Sequence, residues 1–399
     1  MKKILFLCAH SPFEIYSGAH QRTNLLCRAL SEIGEVDIFC LEKIGDLSLV
    51  GNPIPNCSVV YSEQRNWKRY PFWINLLNNV KQLLFFFSQQ ILTSRNKNYA
   101  KKLAEIMKAK DYDYIVVRYI TMAIQCGLPY SKKVIIDLDD LPQQVYKTEK
   151  MRYFENNIKR MFRSYFYAYM EAAAKVNTKR IVKKVKCVFV PDKSLLNLFF
   201  NANYLPNIPY PTNKKIEKST HYENNANVLF VGRLSYEPNY YGINHFLECI
   251  WPIVIESIPQ VQFNIVGIEI LSECKKIWQQ YPGVNIVGYV EDIFEEYEKN
   301  NVVVVPVYLG AGTNIKVLEA MSLSKACVIS KYACRGFEDF LLDGKNVFIA
   351  NDDKDFADKI IQLLKDKDLN QNIGINAQKI IENKYSYDHF RQVVHQAII

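Results

Sequence analysis

Short, β-branched apolar runs alternate with longer amphipathic stretches almost throughout this chain, and that alternation limits its fold more than any other feature. Runs this short are strands buried on both faces, and the stretches between them have room for crossover helices. Such a chain folds as βα units around parallel sheets. The first set of strand candidates is Ile4–Cys8, Val36–Cys40, Ser58–Tyr61, Tyr114–Val117, Val134–Asp137 and Cys187–Val190. A second set comprises Val228–Val231, Gln262–Val266, Asn285–Val287, Val302–Pro306, Cys327–Ser330 and Val347–Ala350. Between them the stretch from Asn207 to Asn227 contains Pro209 and Pro211 and has no periodicity, as expected of a linker.

With 399 residues, 49% of them hydrophobic, the chain can fill two cores. The expected class is therefore α/β, with Rossmann-like domains at 1–205 and 228–385, a linker at 206–227, and a C-terminal amphipathic helix at 386–399 that packs back on the first domain. In open parallel sheets ligands collect beyond the carboxyl ends of the strands, so the cleft between the two halves is the expected active site.

The ten cysteines form no CxxC pair and several lie in apolar runs; they read as reduced core residues. The six histidines show no HxxxH spacing, and no metal is expected. Lys2-Lys3 leads into an apolar run too short for a signal sequence, and no window is apolar enough to span a bilayer. The expected location is cytoplasmic. The net charge of +9 is concentrated in residues 147–186, which hold twelve Lys/Arg against three Glu. Such a patch fits an anionic membrane surface, nucleic acid or a solvated helix face. Residues 65–102 also pair aromatics and leucines with flanking cations, which suits either an interfacial segment on anionic lipid or a helix pair packed in the core.

Chemistry is concentrated after the strand Val302–Pro306. Gly310 and Gly312 allow close approach of a ligand to the backbone, and the N–H groups of Thr313, Asn314 and Ile315 open a helix whose positive end suits phosphate. Lys316 adds a charge to the same anion, and Glu319, one turn on, can accept hydrogen bonds from vicinal hydroxyls. The bland alternative is a glycine turn with a surface Lys and Glu. Arg233 follows Gly232 at the end of Val228–Val231, where it can clamp a phosphate.

Phe230-Val-Gly-Arg-Leu with Pro238-Asn, Trp251-Pro, Ile265-Val-Gly, Gly288-Tyr-Val, Gly310-x-Gly-Thr-x-x-Lys-Val-Leu-Glu-Ala-Met and Gly336-Phe-Glu follow one another in order. This series resembles the second-domain signature of family 4 retaining glycosyltransferases of GT-B fold. The resemblance implies a UDP- or GDP-linked sugar as donor, with Arg233 and Lys316 on the diphosphate, Glu319 on the ribose, the backbone at Tyr289 and Val290 on the base, and Gly18 against the diphosphate from the first domain. It implies no side-chain base and no metal. Three departures stand out: Ala311 replaces the first of the family's paired glutamates, no lysine follows Arg233, and Ser324-Lys325-Ala326 stands where relatives carry Gly-x-Pro.

Acceptor-side candidates are His10, Arg118, Tyr119, Asp137 and Asp140, all just beyond first-domain strands. Asp137-Leu-Asp-Asp140 imitates a DxD metal motif, but an acceptor or structural role is preferred. The expected function is transfer of a sugar to a lipid-linked glycan or polysaccharide precursor at the inner membrane face. The alternatives are a nucleotide-sugar 2-epimerase of the same fold, and a nucleic-acid-binding protein, although no nucleic-acid motif is present.

Overall fold

A computed structural model describes residues 1–15, 17–45, 53–63, 86–152, 158–211, 226–310 and 313–398. The chain divides into two compact units, Met1–Pro206 with Phe390–Ile399, and Asn207–His389. Each is built on one parallel sheet.

In the first unit the strands are β1 (Lys2–Cys8), β2 (Gly34–Cys40), β3 (Cys57–Ser62), β4 (Tyr114–Arg118), β5 (Val134–Asp137), β6 (Cys187–Val190) and β7 (Ala202–Tyr204), in the order β3-β2-β1-β4-β5-β6-β7. The second carries β8 (Asn227–Val231), β9 (Gln262–Val266), β10 (Val284–Gly288), β11 (Val302–Val305), β12 (Ala326–Ser330) and β13 (Phe348–Ala350), in the order β10-β9-β8-β11-β12-β13. The central strands are apolar because both faces are covered: Val302, Val303, Val304 and Val305 are all buried. Twelve of these strands coincide with the apolar runs. β7 does not, since it is a three-residue edge strand, Ala-Asn-Tyr, with no apolar run to announce it.

In both sheets the strand order reverses beside the first strand, between β1 and β4 in one unit and between β8 and β11 in the other. A reversal opens a crevice at the carboxyl ends, because the flanking crossovers leave in opposite directions. Residues after β1, β4, β8 and β11 are therefore the ones positioned to bind.

Helix Tyr387–Ile398 buries Phe390, Val394 and Ile398, spaced four apart on one face. It is fastened to the first unit by Arg391 on Glu32 at 3.0 Å and by His395 Nε2, 3.0 Å from the Ala29 carbonyl. The start of the expected linker is not loose: Asn207, Ile208 and Pro209 are buried; its last residue, Asn227, already belongs to β8, and 212–225 lie outside the described residues. Residues 65–85 of the aromatic and basic segment also lie outside. Beyond them Ile91, Leu92 and Tyr99 join the first core, while Phe87 is exposed beneath the Arg180 guanidinium. Among the described residues no helix is long and apolar enough to cross a membrane, and all ten cysteines are free.

Ser324 explains one departure from the family pattern. It adopts φ +56°, the left-handed conformation that glycine takes at little cost, and its hydroxyl is anchored to Gln378 Oε1 at 2.6 Å. Gly242 shows the opposite constraint. A Cβ there would lie 1.9 Å from the Pro306 carbonyl oxygen, so only glycine lets helix Glu237–His245 approach the end of β11. Gly242→Ala is expected to destabilise the second unit by about 1–3 kcal/mol, the usual scale of overpacking. Thermal unfolding checks this; an unchanged melting temperature would show that the close approach is not required.

Candidate active site

In the second unit Lys316 occupies the crevice between β8 and β11. Its Nζ donates to Asn239 Oδ1 at 2.6 Å and lies 4.4 Å from the centre of the Phe230 ring. Asn239 Nδ2 in turn donates to the Arg233 carbonyl at 2.9 Å, so one side chain ties the lysine to the β8 turn. A Cβ at Gly232 would stand 2.8 Å from Asn239 Nδ2 and 3.0 Å from Lys316 Nζ; glycine leaves that face of the ammonium open. By accessible surface Lys316 is half-buried, yet its ammonium is closely surrounded. Burial pushes its pKa down to about 7, against the opposing pull of Glu319. A lysine so placed has lost hydration that an arriving anion would replace.

Lys316 and Glu319 share the half-buried face of helix Ile315–Ser322, whose Val317, Leu318, Ala320 and Met321 pack inward. Beside Glu319 lies Tyr297, fully enclosed; burial and then the Glu319 charge hold its hydroxyl in the neutral form. That hydroxyl is buried without a hydrogen-bond partner, so Glu319 acts on it through charge.

The turn before the helix is braced from β12. Gly310, at φ +119°, offers its carbonyl to the Tyr332 hydroxyl at 2.6 Å and to Arg335 Nη1 at 2.9 Å, and Arg335 also donates to Tyr332 at 2.6 Å. Thr313 Oγ1 accepts from Asn207 Nδ2 at 2.7 Å, and a Cβ at Gly336 would meet Thr313 Cγ2 at 2.8 Å. Ala311 and Gly312 lie outside the described residues. Of the three N–H groups expected to be open, that of Ile315 is occupied, donating to the Thr313 carbonyl at 3.1 Å. Asn314 caps the helix with no side-chain bond to its N–H groups; its Nδ2 donates instead to the Ala333 carbonyl at 3.5 Å.

Arg233 is exposed where the sheet reverses, but it is engaged. Its Nη2 lies 2.6 Å from Glu269 Oε2 and its Nε 2.8 Å from the same oxygen, which also accepts from Ser235 Oγ at 2.6 Å. An anion reaching Arg233 must compete with Glu269. Both side chains are about half exposed, where such a pair contributes roughly 0–1 kcal/mol, so the competition is weak. Tyr289 is exposed and Val290 half-buried, just past Gly288 at the end of β10. All of these groups gather at one edge of one sheet. Asn239 belongs to the Pro238-Asn motif but had no role assigned from the sequence, and Glu269, Tyr297, Tyr332 and Arg335 were not singled out by it.

In the first unit, Gly18 opens helix Gly18–Ser31, capped by Ser17. His20 Nδ1 lies 2.6 Å from Ser17 Oγ and its Nε2 3.1 Å from Glu42 Oε2; the His10 ring lies tilted against that of His20, with centroids 4.8 Å apart. Two expectations need correction. Arg118 and Asp137, placed on the open edge by their strand-end positions, are completely enclosed. Asp137 receives Arg22 Nη2 at 2.6 Å and Nε at 2.9 Å, and Arg118 Nη2 donates to Asp139 at 2.7 Å and to the Tyr119 hydroxyl at 2.7 Å. They form an internal ion network, which for Asp137 is the structural alternative and which places neither side chain on an open edge. Tyr119 sits at φ +69°, its N–H tied to the Asp137 carbonyl at 2.9 Å. His10, Tyr119 and Asp140 keep partial exposure.

Burial first, and Asp139 second, push the Asp140 carboxyl up to about 7, since two guanidiniums already balance Asp137 and Asp139.

Residues 225–366 match the family described as Glycosyl transferases group 1. A Klebsiella pneumoniae protein described as an uncharacterized 44.6 kDa protein in the cps region is 26% identical over 382 residues, spanning 93% of this chain and 90% of that one. CapM of Staphylococcus aureus, a capsular polysaccharide biosynthesis glycosyltransferase, is 27% identical over 183 residues, covering 44% of this chain and 46% of CapM. Among solved structures, Anabaena HepE in complex with UDP and glucose aligns with a TM-score of 0.64 at 16% identity, over 100% of this chain and 99% of that one. The likeness, together with the two parallel sheets, establishes the GT-B fold.

A raised carboxyl pKa penalises the charged form in the folded state. For Asp140 the penalty is absent below the unfolded value near 3.8, grows as pH rises, and is complete above the folded value of about 7. Asp140→Asn is therefore expected to melt higher than the parent at pH 8, with the gap closing towards pH 4. Melting curves across that range check it; a gap independent of pH would contradict the burial argument.

Proposed function

We propose that this chain, a glycosyltransferase whose residues 225–366 form a group 1 domain, takes a UDP- or GDP-linked sugar as donor and transfers it, with retention, to a lipid-linked glycan or polysaccharide precursor. The observation that carries the reading is the pairing of Lys316 and Glu319 on one helix face, with Gly232 leaving space beside the ammonium that a Cβ would fill. A cation for a diphosphate and, one turn on, a carboxylate for a ribose diol match a nucleoside diphosphate in spacing and in chemistry.

In this mechanism the bond between the anomeric carbon and the diphosphate breaks, and its electron pair goes to the diphosphate oxygen. Lys316, Arg233 and the start of helix Ile315–Ser322 stabilise the charge that develops there, so the reaction needs no metal. The acceptor oxygen bonds to the same face of the sugar, and its proton passes to the departing diphosphate. Arg335 and Tyr332 contribute by holding the Gly310 turn in shape. The acceptor class is supported by the two relatives named for a cps region and for capsular polysaccharide biosynthesis. Exposed Met161, Phe162 and Tyr165, on a helix rich in Lys and Arg, support docking on the cytoplasmic face of an anionic membrane.

Glu319→Gln separates this reading from its rivals. Removing the charge weakens a hydrogen bond to a ribose hydroxyl worth about 1.5–3 kcal/mol, so UDP- or GDP-sugar affinity is expected to fall roughly ten- to a hundredfold. Affinity for inorganic pyrophosphate, which has no ribose, stays nearly unchanged. Lys316→Ala weakens both ligands. Calorimetric titration decides: equal losses for nucleotide-sugar and pyrophosphate in Glu319→Gln would overturn the assignment.

A further inference from the structure

A second convergence of polar groups in the Asn207–His389 unit involves none of the residues above. The helical stretch from Glu237 to Ser257 contains a π turn, Phe246–Ile250, set between two α-helical segments. Turns of this kind are rare and recur at functional sites. His245 immediately precedes the π turn and Cys249 lies within it, four residues on. Asp353, the first residue of helix Asp353–Lys365, meets them from another part of the fold. The His245 nitrogen, Cys249 sulfur and Asp353 oxygen all lie within 4.8 Å of one another, with His245 Nε2 2.7 Å from Asp353 Oδ1.

A fourth group points to a missing occupant. The Tyr308 ring packs edge-on to His245, with centroids 4.9 Å apart, and its hydroxyl is sealed from solvent without a hydrogen-bond partner. A buried, unsatisfied hydroxyl is costly, and a bound water would relieve it.

We propose that His245, Cys249 and Asp353 bind one divalent ion of the zinc class, with a water in the fourth position facing the Tyr308 hydroxyl. The sulfur, nitrogen and oxygen set selects a borderline-soft metal over magnesium or calcium. Tetrahedral ligands around zinc stand roughly 3.3–3.7 Å apart, so small side-chain adjustments close the site. On binding, the Cys249 thiol releases its proton to solvent, and neutral His245, whose Nε2–H donates to Asp353 in the metal-free protein, takes the tautomer protonated at Nδ1 so that Nε2 offers its lone pair to the metal. No electron transfer is involved. Helices Trp251–Ser257 and Asp353–Lys365 already pack together. The ion staples the latter to the π turn, beside the segment that runs from Tyr308 into the Gly310 turn. This proposal is independent of the sugar-transfer reading, because it rests on different residues and has a readout other than activity.

The test uses the full chain, stripped of metal with a chelator and then titrated with zinc chloride or magnesium chloride. Cys249 is the one exposed cysteine of ten, so its alkylation by iodoacetamide reports the site directly. Calorimetry is expected to show one zinc equivalent, and zinc, but not magnesium, should slow alkylation of Cys249 at least about tenfold. Cys249→Ser and His245→Gln should each weaken zinc binding by at least about tenfold, the scale seen when metal sites lose supporting groups. His10→Gln should not, although His10, His20 and Glu42 also bring ligand atoms within 4.8 Å of one another. Absence of stoichiometric zinc binding, unchanged alkylation in zinc, or zinc binding that survives both site variants would each overturn the proposal. The wild-type alkylation result stands even if a variant fails to fold.

Discussion

A lysine ammonium held out of water is the constraint on which the second unit is organised. Lys316 keeps one hydrogen bond, to Asn239, and one aromatic face, Phe230, in place of bulk hydration. That is too little to compensate a full charge, and the pKa near 7 reflects the deficit. The surrounding sequence preserves the arrangement: Gly232 leaves the approach open, Gly242 lets the Asn239 helix come close to β11, and Arg335 with Tyr332 fixes the turn that delivers the lysine. Each of these positions serves the environment of one side chain. An anion arriving there would restore what burial removed.

The first unit handles buried charge in the opposite way. Arg22 and Arg118 are more deeply enclosed than Lys316, but carboxylates answer them directly, Asp137 and Asp139 in particular. Such a network holds the ends of β4 and β5 in register with helix Gly18–Ser31. Its charges are spent on one another, whereas Asp140, His10 and Tyr119 keep partial exposure. Breaking a buried pair of this kind by removing one partner costs about 3–5 kcal/mol, so these residues belong to the scaffold.

How much of this was readable in the sequence follows from the range of the forces involved. Buried parallel strands must be apolar throughout, and twelve of thirteen announced themselves; β7, an edge strand, had no such obligation. The shared face of Lys316 and Glu319 was visible because helical spacing fixes it locally. Asn239, Glu269 and Arg335 were not, since their contacts span 77, 36 and 25 residues of chain. Arg118 and Asp137 were misplaced for a related reason. A strand-end position gives a direction, whereas their burial is decided by Arg22, more than a hundred residues from Asp137.

The central claim is that Lys316 is an anion receptor kept short of its proton until the donor arrives. It is tested most directly by counting protons taken up when a UDP- or GDP-sugar binds, from calorimetry in buffers of different ionisation enthalpy. With a free pKa near 7, Lys316 is largely neutral at pH 8 and charged at pH 6. Binding of the diphosphate favours the charged form, so uptake should approach one proton at pH 8, fade towards pH 6, and vanish in Lys316→Met. Binding at pH 8 without proton uptake, or uptake that persists in Lys316→Met, would contradict the account.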